Sequence, residues 1–169
     1  AVGALYSDLI EYLKLNKDET DYFMDILMYR QMKQMDLGMK LMAGNLSDEE
    51  KQALQDEIKQ AQETVKDEMK KFLNNDNDYS EWEFYEKTMG ERMMLSQMDK
   101  DLSGSDASLS DDTYRNLLGM MHDERDNYQF TSNLGDQQNT DLSPERFSKE
   151  NLQNFASDLH TLNENICKK

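Results

Sequence analysis

The chain has 169 residues, with 19 Lys and Arg against 35 Asp and Glu, a net charge of -16 and one cysteine. So much negative charge opposes any surface that must displace counterions from phosphates or approach an anionic lipid sheet, and no run of about 18 apolar residues is present to span a bilayer. Nucleic-acid binding and membrane-spanning classes are set aside on these grounds; a neutral, basic or metal partner suits the charge better.

The length suits a single domain over 1–169. Only 37% of the residues are hydrophobic, mean hydropathy is -0.95, and there are one proline and seven glycines. That balance predicts long amphipathic helices with broad wet faces, and no alternating strand pattern occurs. The predicted fold class is all-α, an elongated bundle of long antiparallel helical hairpins.

In chain order, a short amphipathic segment over 4–14 comes first. Asn16 with Glu19 then predicts a capping box opening a helix over 17–43, and Ser47 with Glu50 does the same for 48–73. Asp78 with Glu81 predicts a third start and a helix over 79–101. Ser110, followed by two aspartates, opens a helix over 111–129, and Ser143, with Pro144 and Glu145, one over 144–167. Starts at 16, 47, 78, 110 and 143 recur every 31 to 33 residues.

Apolar stripes of helical period follow the starts. Leu54, Ile58, Ala61, Val65, Met69 and Phe72 form the second; Trp82, Tyr85, Met89, Leu95, Met98 and Leu102 form a rougher third. The fourth, Tyr114, Leu117, Met121, Arg125 and Tyr128, is broken by one charge; the last is Leu152, Phe155, Leu159, Leu162 and Ile166. Residues 129–141 are the one connection long enough to act as a functional or mobile loop.

The first stripe is the unusual one. Of thirteen methionines, six (Met24, Met28, Met32, Met35, Met39 and Met42) follow one helix face, with Phe23 and Leu27 beside them. Methionine most often fills irregular gaps between helices, which makes the stripe core. Thioethers also select soft Cu(I), and a Met-rich face can repack around unrelated apolar partners. The last use makes these six residues the candidate partner-binding set.

Other chemistry is sparse. Asp99, Asp101, Ser103 and Gly104 match the first half of a calcium loop, but its eighth and twelfth positions fall on Asp106 and Ser110, without the bidentate glutamate. That stretch is expected to close one helix and open the next, with Leu109 stapled onto Tyr114; the acidic turn 74–81 lacks both the glycine and the glutamate. His122 with Asp126 and His160 with Glu164 stand four apart, as ordinary solvated pairs do. Neither H-E-x-x-H nor E-x-x-H occurs, phosphate loops and G-x-S-x-G are absent, and Cys167 has no activating motif. No enzyme, no cofactor and no catalytic or metal-ligating residue is expected.

The helix starts "LNKDET" (15–20), "LSDEEK" (46–51), "LSDDTY" (109–114) and "LSPERF" (142–147) resemble the L-T-x-x-Q motif of Spy/CpxP-like periplasmic proteins. "RQMKQMDLGMKLMAGNLSDEE" (30–50) and "YEKTMGERMML" (85–95), with "LSPERF", are similar to a group of exported long-helical bacterial proteins. The resemblance implies a periplasmic or otherwise extracytoplasmic location and a stress-related binding of unfolded proteins; no catalytic residue comes with it. Both chain ends, "AVGAL" and "ENICKK", read as cuts, so a signal peptide is taken as already removed. The expected function is a non-enzymatic, chaperone-like interaction protein binding protein partners or itself through the Met-rich face, with a metal-binding or metal-sensing periplasmic protein as the second reading.

Overall fold

The computed structural model describes residues 2–44, 46–102, 109–136 and 143–169, and among them all regular structure is helical. The eight α-helices are α1 Val2–Leu5, α2 Ser7–Tyr12, α3 Lys17–Met42, α4 Asp48–Leu73, α5 Asp76–Lys87, α6 Met89–Leu102, α7 Asp111–Asn127 and α8 Lys149–Cys167, with 3-10 turns at Asn133–Gly135 and Pro144–Phe147. The fold class is all-α, as the sequence predicts. The chain divides into two compact units, Ala1–Glu83 and Phe84–Lys169, the division falling inside α5.

Local chemistry places the starts of the long helices. The Asn16 Oδ1 accepts from the Glu19 amide at 3.1 Å while the Glu19 carboxylate accepts from the Asn16 amide at 2.8 Å. Ser47 and Glu50 repeat this reciprocal pair, and Ser110 accepts from the Thr113 amide. Two starts differ from expectation. Asn74 turns left-handed (φ 51°) to end α4, and Asn75, rather than Asp78, opens α5: its side-chain oxygen accepts from the Asp78 amide at 2.8 Å. At the last start Pro144 leads only a 3-10 turn, and the cap of α8 falls five residues after the expected Ser143, where Ser148 accepts from the Asn151 amide.

The helix expected over 79–101 is interrupted at Thr88, which is fully buried. Its hydroxyl donates back to the Phe84 carbonyl at 2.7 Å, a side-chain bond of the kind that competes with the helix ladder.

In the first unit α3 and α4 run antiparallel, with Lys40 bonded to Glu57 near the turn and Tyr22 to Glu68 towards the far end. Phe23, Ile26, Leu27 and Leu37 of α3 meet Leu54, Val65, Met69 and Leu73 of α4, and Tyr6 and Leu9 from the amino-terminal segment are buried with them. The α4 stripe is largely the predicted one. The methionine stripe of α3 is not core: Met28, Met32, Met35, Met39 and Met42 are exposed, and the helix turns its Phe, Ile and Leu row inward instead. Broad, stiff aromatic and branched side chains fill the seam against α4, leaving the flexible thioethers on the other side.

In the second unit Leu95, Leu118 and Met121 form a buried cluster with Phe84, Tyr114, Leu117 and Ile166 against it. The α8 stripe differs from expectation: Leu152 and Leu159 are exposed, and Asp158 is buried in their stead. The Asp158 carboxylate accepts from the Thr131 and Ser132 amides at 2.9 and 3.0 Å and from the Thr131 hydroxyl, pinning residues 131–132 to α8. The candidate loop is therefore tethered at its start; its 137–141 part lies outside the described residues, as does 103–108 of the candidate calcium loop. Asp158→Ala would leave the buried Ser132 amide and the neighbouring Thr131 amide without their acceptor. The expected loss is about 1–3 kcal/mol in denaturant unfolding, with a selective rise in amide exchange at Thr131 and Ser132.

Candidate functional site

Helix α3 is apolar on two faces, and that arrangement creates the site. At about 100° per residue, Met28, Met32, Met35, Met39 and Met42 fall within roughly 80° of one another, whereas Phe23, Ile26, Leu27 and Leu37 point to the opposite half. A helix with two apolar faces must bury both or present one to a partner. Here one is packed on α4, and the five methionines are 49 to 88% exposed. The ridge from Met28 to Met42 spans 15 residues, about 21 Å of helix.

Of the six candidate residues, Met24 stands apart. It is half-buried, and a β-carbon on Gly3 would lie 3.8 Å from its methyl group, so α1 covers it. The others form one surface strip. Exposed Met93, Met94 and Met98 on α6 belong to the second unit. Their exposure was not legible in the rough stripe of that segment.

The charges of α3 are arranged off the methionine ridge. Lys33 and Lys40 both reach Glu57, at 3.7 and 3.0 Å, and Lys40 also meets Asp36. Arg30 donates to the Tyr6 hydroxyl at 2.7 Å, and Lys17 pairs with Asp21. A groove of about 310 Å³ lies beside Tyr29 on the α3–α4 seam, lined by Asp25, Ile26, Tyr29, Thr64, Val65 and Glu68.

Glu68 belongs to a clamp joining the two helices. It accepts from Lys71 at 2.9 Å and from the Tyr22 hydroxyl at 3.2 Å. Lys71 and then Tyr22 hold the Glu68 carboxyl below its ordinary value of 4.5, and the same carboxylate raises Lys71 and Tyr22. A depressed carboxyl contributes stability above its unfolded pKa and loses it as pH falls through the folded value. The melting temperature of wild type should therefore exceed that of Glu68→Gln at neutral pH, and the gap should close as pH drops below about 4.5.

A second polar cluster, which the sequence reading missed, lies in the other unit. Arg125, the charge that interrupts the α7 stripe, pairs with buried Glu91 of α6 at 2.6 Å and donates to the Lys87 carbonyl at 2.5 Å. Its Nη2 is also 3.3 Å from His122 Nδ1, and His122 Nε2 stands 3.4 Å from Asp126. Arg92 donates to the Thr88 hydroxyl and stacks over Tyr85 with its guanidinium carbon 4.0 Å from the ring centroid. Arg125 thus caps the carbonyl freed where α5 ends, a structural task.

No family model matches the chain, nor does any curated protein or solved structure. Among the described residues there is no helix long and apolar enough to cross a membrane and no grouping of three or more His, Cys, Asp and Glu fit to hold a metal. His160 and Glu164 remain an exposed pair 3.5 Å apart. The exposed methionine strip is the candidate site.

Proposed function

We propose that this is a non-enzymatic, extracytoplasmic interaction protein, chaperone-like and connected with envelope stress, which binds protein partners through the methionine face of α3. The observation that carries the reading is the exposure of Met28, Met32, Met35, Met39 and Met42 on one strip, opposite the side packed on α4. A contiguous apolar strip on a strongly acidic surface is what a binding protein keeps open for a partner. Unbranched thioethers adapt to varied apolar shapes, as a binder of unfolded segments requires. The periplasmic location rests on the resemblance of the helix-start motifs to Spy/CpxP-like proteins, and the non-enzymatic reading on the absence of catalytic motifs in the sequence.

The test is suppression of aggregation of a chemically denatured client by the purified protein, with localisation of the chain from a cell fractionation. Concentration-dependent suppression and recovery from the envelope fraction are expected. A protein that leaves client aggregation untouched, or that stays in the cytosol, is not this binder.

The same row of exposed thioethers on successive turns also favours a second reading, capture of Cu(I) by soft ligands. A native-state ligand must raise the melting temperature by mass action. Unchanged melting in excess Cu(I) under reducing conditions removes that reading and leaves the first intact.

A further inference from the structure

The surroundings of the methionine ridge narrow what it can hold. On one flank, past Tyr29, the seam groove is floored by Ile26 and Val65 and carries two carboxylates, Asp25 and Glu68; Glu68 is paired with Lys71 from outside the lining, and the lining itself holds no cationic residue. Among the described residues Asp25 has no ion pair, and the basic side chains of α3 are engaged with Glu57, Asp21 and the Tyr6 hydroxyl. The groove on the other side of the seam, by contrast, contains Arg30 and Lys33. An apolar ridge thus borders a pocket with an apolar floor and an acidic rim.

From this juxtaposition we infer that the partner seated on α3 is a cationic amphipathic helix, its apolar stripe lying on Met28 to Met42 and a Lys or Arg side chain entering the Asp25–Glu68 groove. The inference rests on the reading of the methionine face as a binding surface. The roughly 21 Å ridge matches about four turns of helix. A Lys or Arg stem is apolar along its length and charged at its tip, which suits a groove with Ile26 and Val65 below and carboxylates at the rim. A second copy of this chain is a poor occupant, because each copy carries -16 and would bring the same acidic flank.

Three synthetic helical peptides of about 18 residues, with one leucine stripe and with lysine, glutamine or glutamate at the polar positions, are titrated against the full chain by fluorescence anisotropy. The lysine peptide should bind about tenfold more tightly than the glutamine peptide, and the glutamate peptide more weakly than either. That advantage should vanish near 1 M salt, where the Debye length is about 3 Å. Asp25→Asn, which spares the Tyr22–Glu68–Lys71 clamp, should remove part of it, and Asp25→Asn with Glu68→Gln the rest.

Equal binding of the three peptides, or no binding by any, overturns the inference. If they bind equally and Met32→Ser/Met35→Ser/Met39→Ser abolishes all binding, the methionine-face reading stands without the cationic preference. If they bind and that triple variant changes nothing, both fail. A dimer seen by sedimentation that the triple variant dissolves assigns the face to a second copy and overturns the inference.

Discussion

Phe23→Ala is expected to destabilise the protein by about 3–5 kcal/mol, the largest loss from any single truncation in α3. Phe23 is 0% exposed and sits at the junction of three elements. Its ring meets Tyr6 edge-on at 5.8 Å and Phe72 of α4 at 6.3 Å, and Leu9, Leu27 and Met69 are buried in the same unit. Removing it takes away the transfer energy of a phenyl ring and the aromatic geometry, and leaves a cavity that two long helices cannot easily collapse around. Native domains have only about 5–15 kcal/mol of stability, so such a loss is a large share. The contrast on the same helix is Met32→Ala, expected to change stability by no more than about 0.5 kcal/mol because its side chain is exposed. Denaturant titration of the two variants measures the orientation of α3 directly: comparable losses would mean that the methionine row is packed.

The second large effect is expected at the Glu91–Arg125 pair. Glu91 is 7% exposed, one of its oxygens is bonded to Arg125, and the other has no hydrogen-bond partner among the described residues. Arg125→Met would leave that carboxylate buried without a cation and the Lys87 carbonyl without its donor, at a cost of about 3–5 kcal/mol. Replacing both partners, Glu91→Leu with Arg125→Met, should recover most of the loss, since an apolar pair of similar volume avoids the desolvation of both charges. A double-mutant cycle in denaturant reads this out. A double variant as unstable as the single one would show that the carbonyl cap at the break between α5 and α6, rather than the ion pair, carries the stability.

The starts at Asn16, Ser47 and Ser110 could be read from sequence because a cap bonds an amide three residues away, and the interaction is complete within four positions. The same rule misplaced the starts assigned to Asp78 and Ser143, where a rival capping side chain, Asn75 or Ser148, stands within a few residues. Periodicity found the methionine row of α3, with only Phe23 and Leu27 of the buried row noted beside it. It cannot say which row meets α4, because that depends on the shape of a helix more than 40 positions away along the seam, where Tyr22 meets Glu68. Glu91 with Arg125 and Asp158 with Thr131 are likewise long-range pairings: one appeared in sequence only as a flaw in a stripe, the other as a polar residue between leucines. Asp158 displaced Leu152 and Leu159 from the buried row for a reason that period alone does not carry, the unpaired amides of a loop.

The central claim is that the methionine row is kept for partners and adds nothing to the core. Its most direct test is the affinity of Met32→Ser/Met35→Ser/Met39→Ser for a permanently unfolded client polypeptide, with thermal melting recorded on the same samples. The account predicts client binding at least about tenfold weaker than wild type, a loss of about 1.4 kcal/mol or more, at an unchanged melting temperature. Undiminished client binding, or a melting temperature lowered as far as Phe23→Ala lowers it, would contradict it.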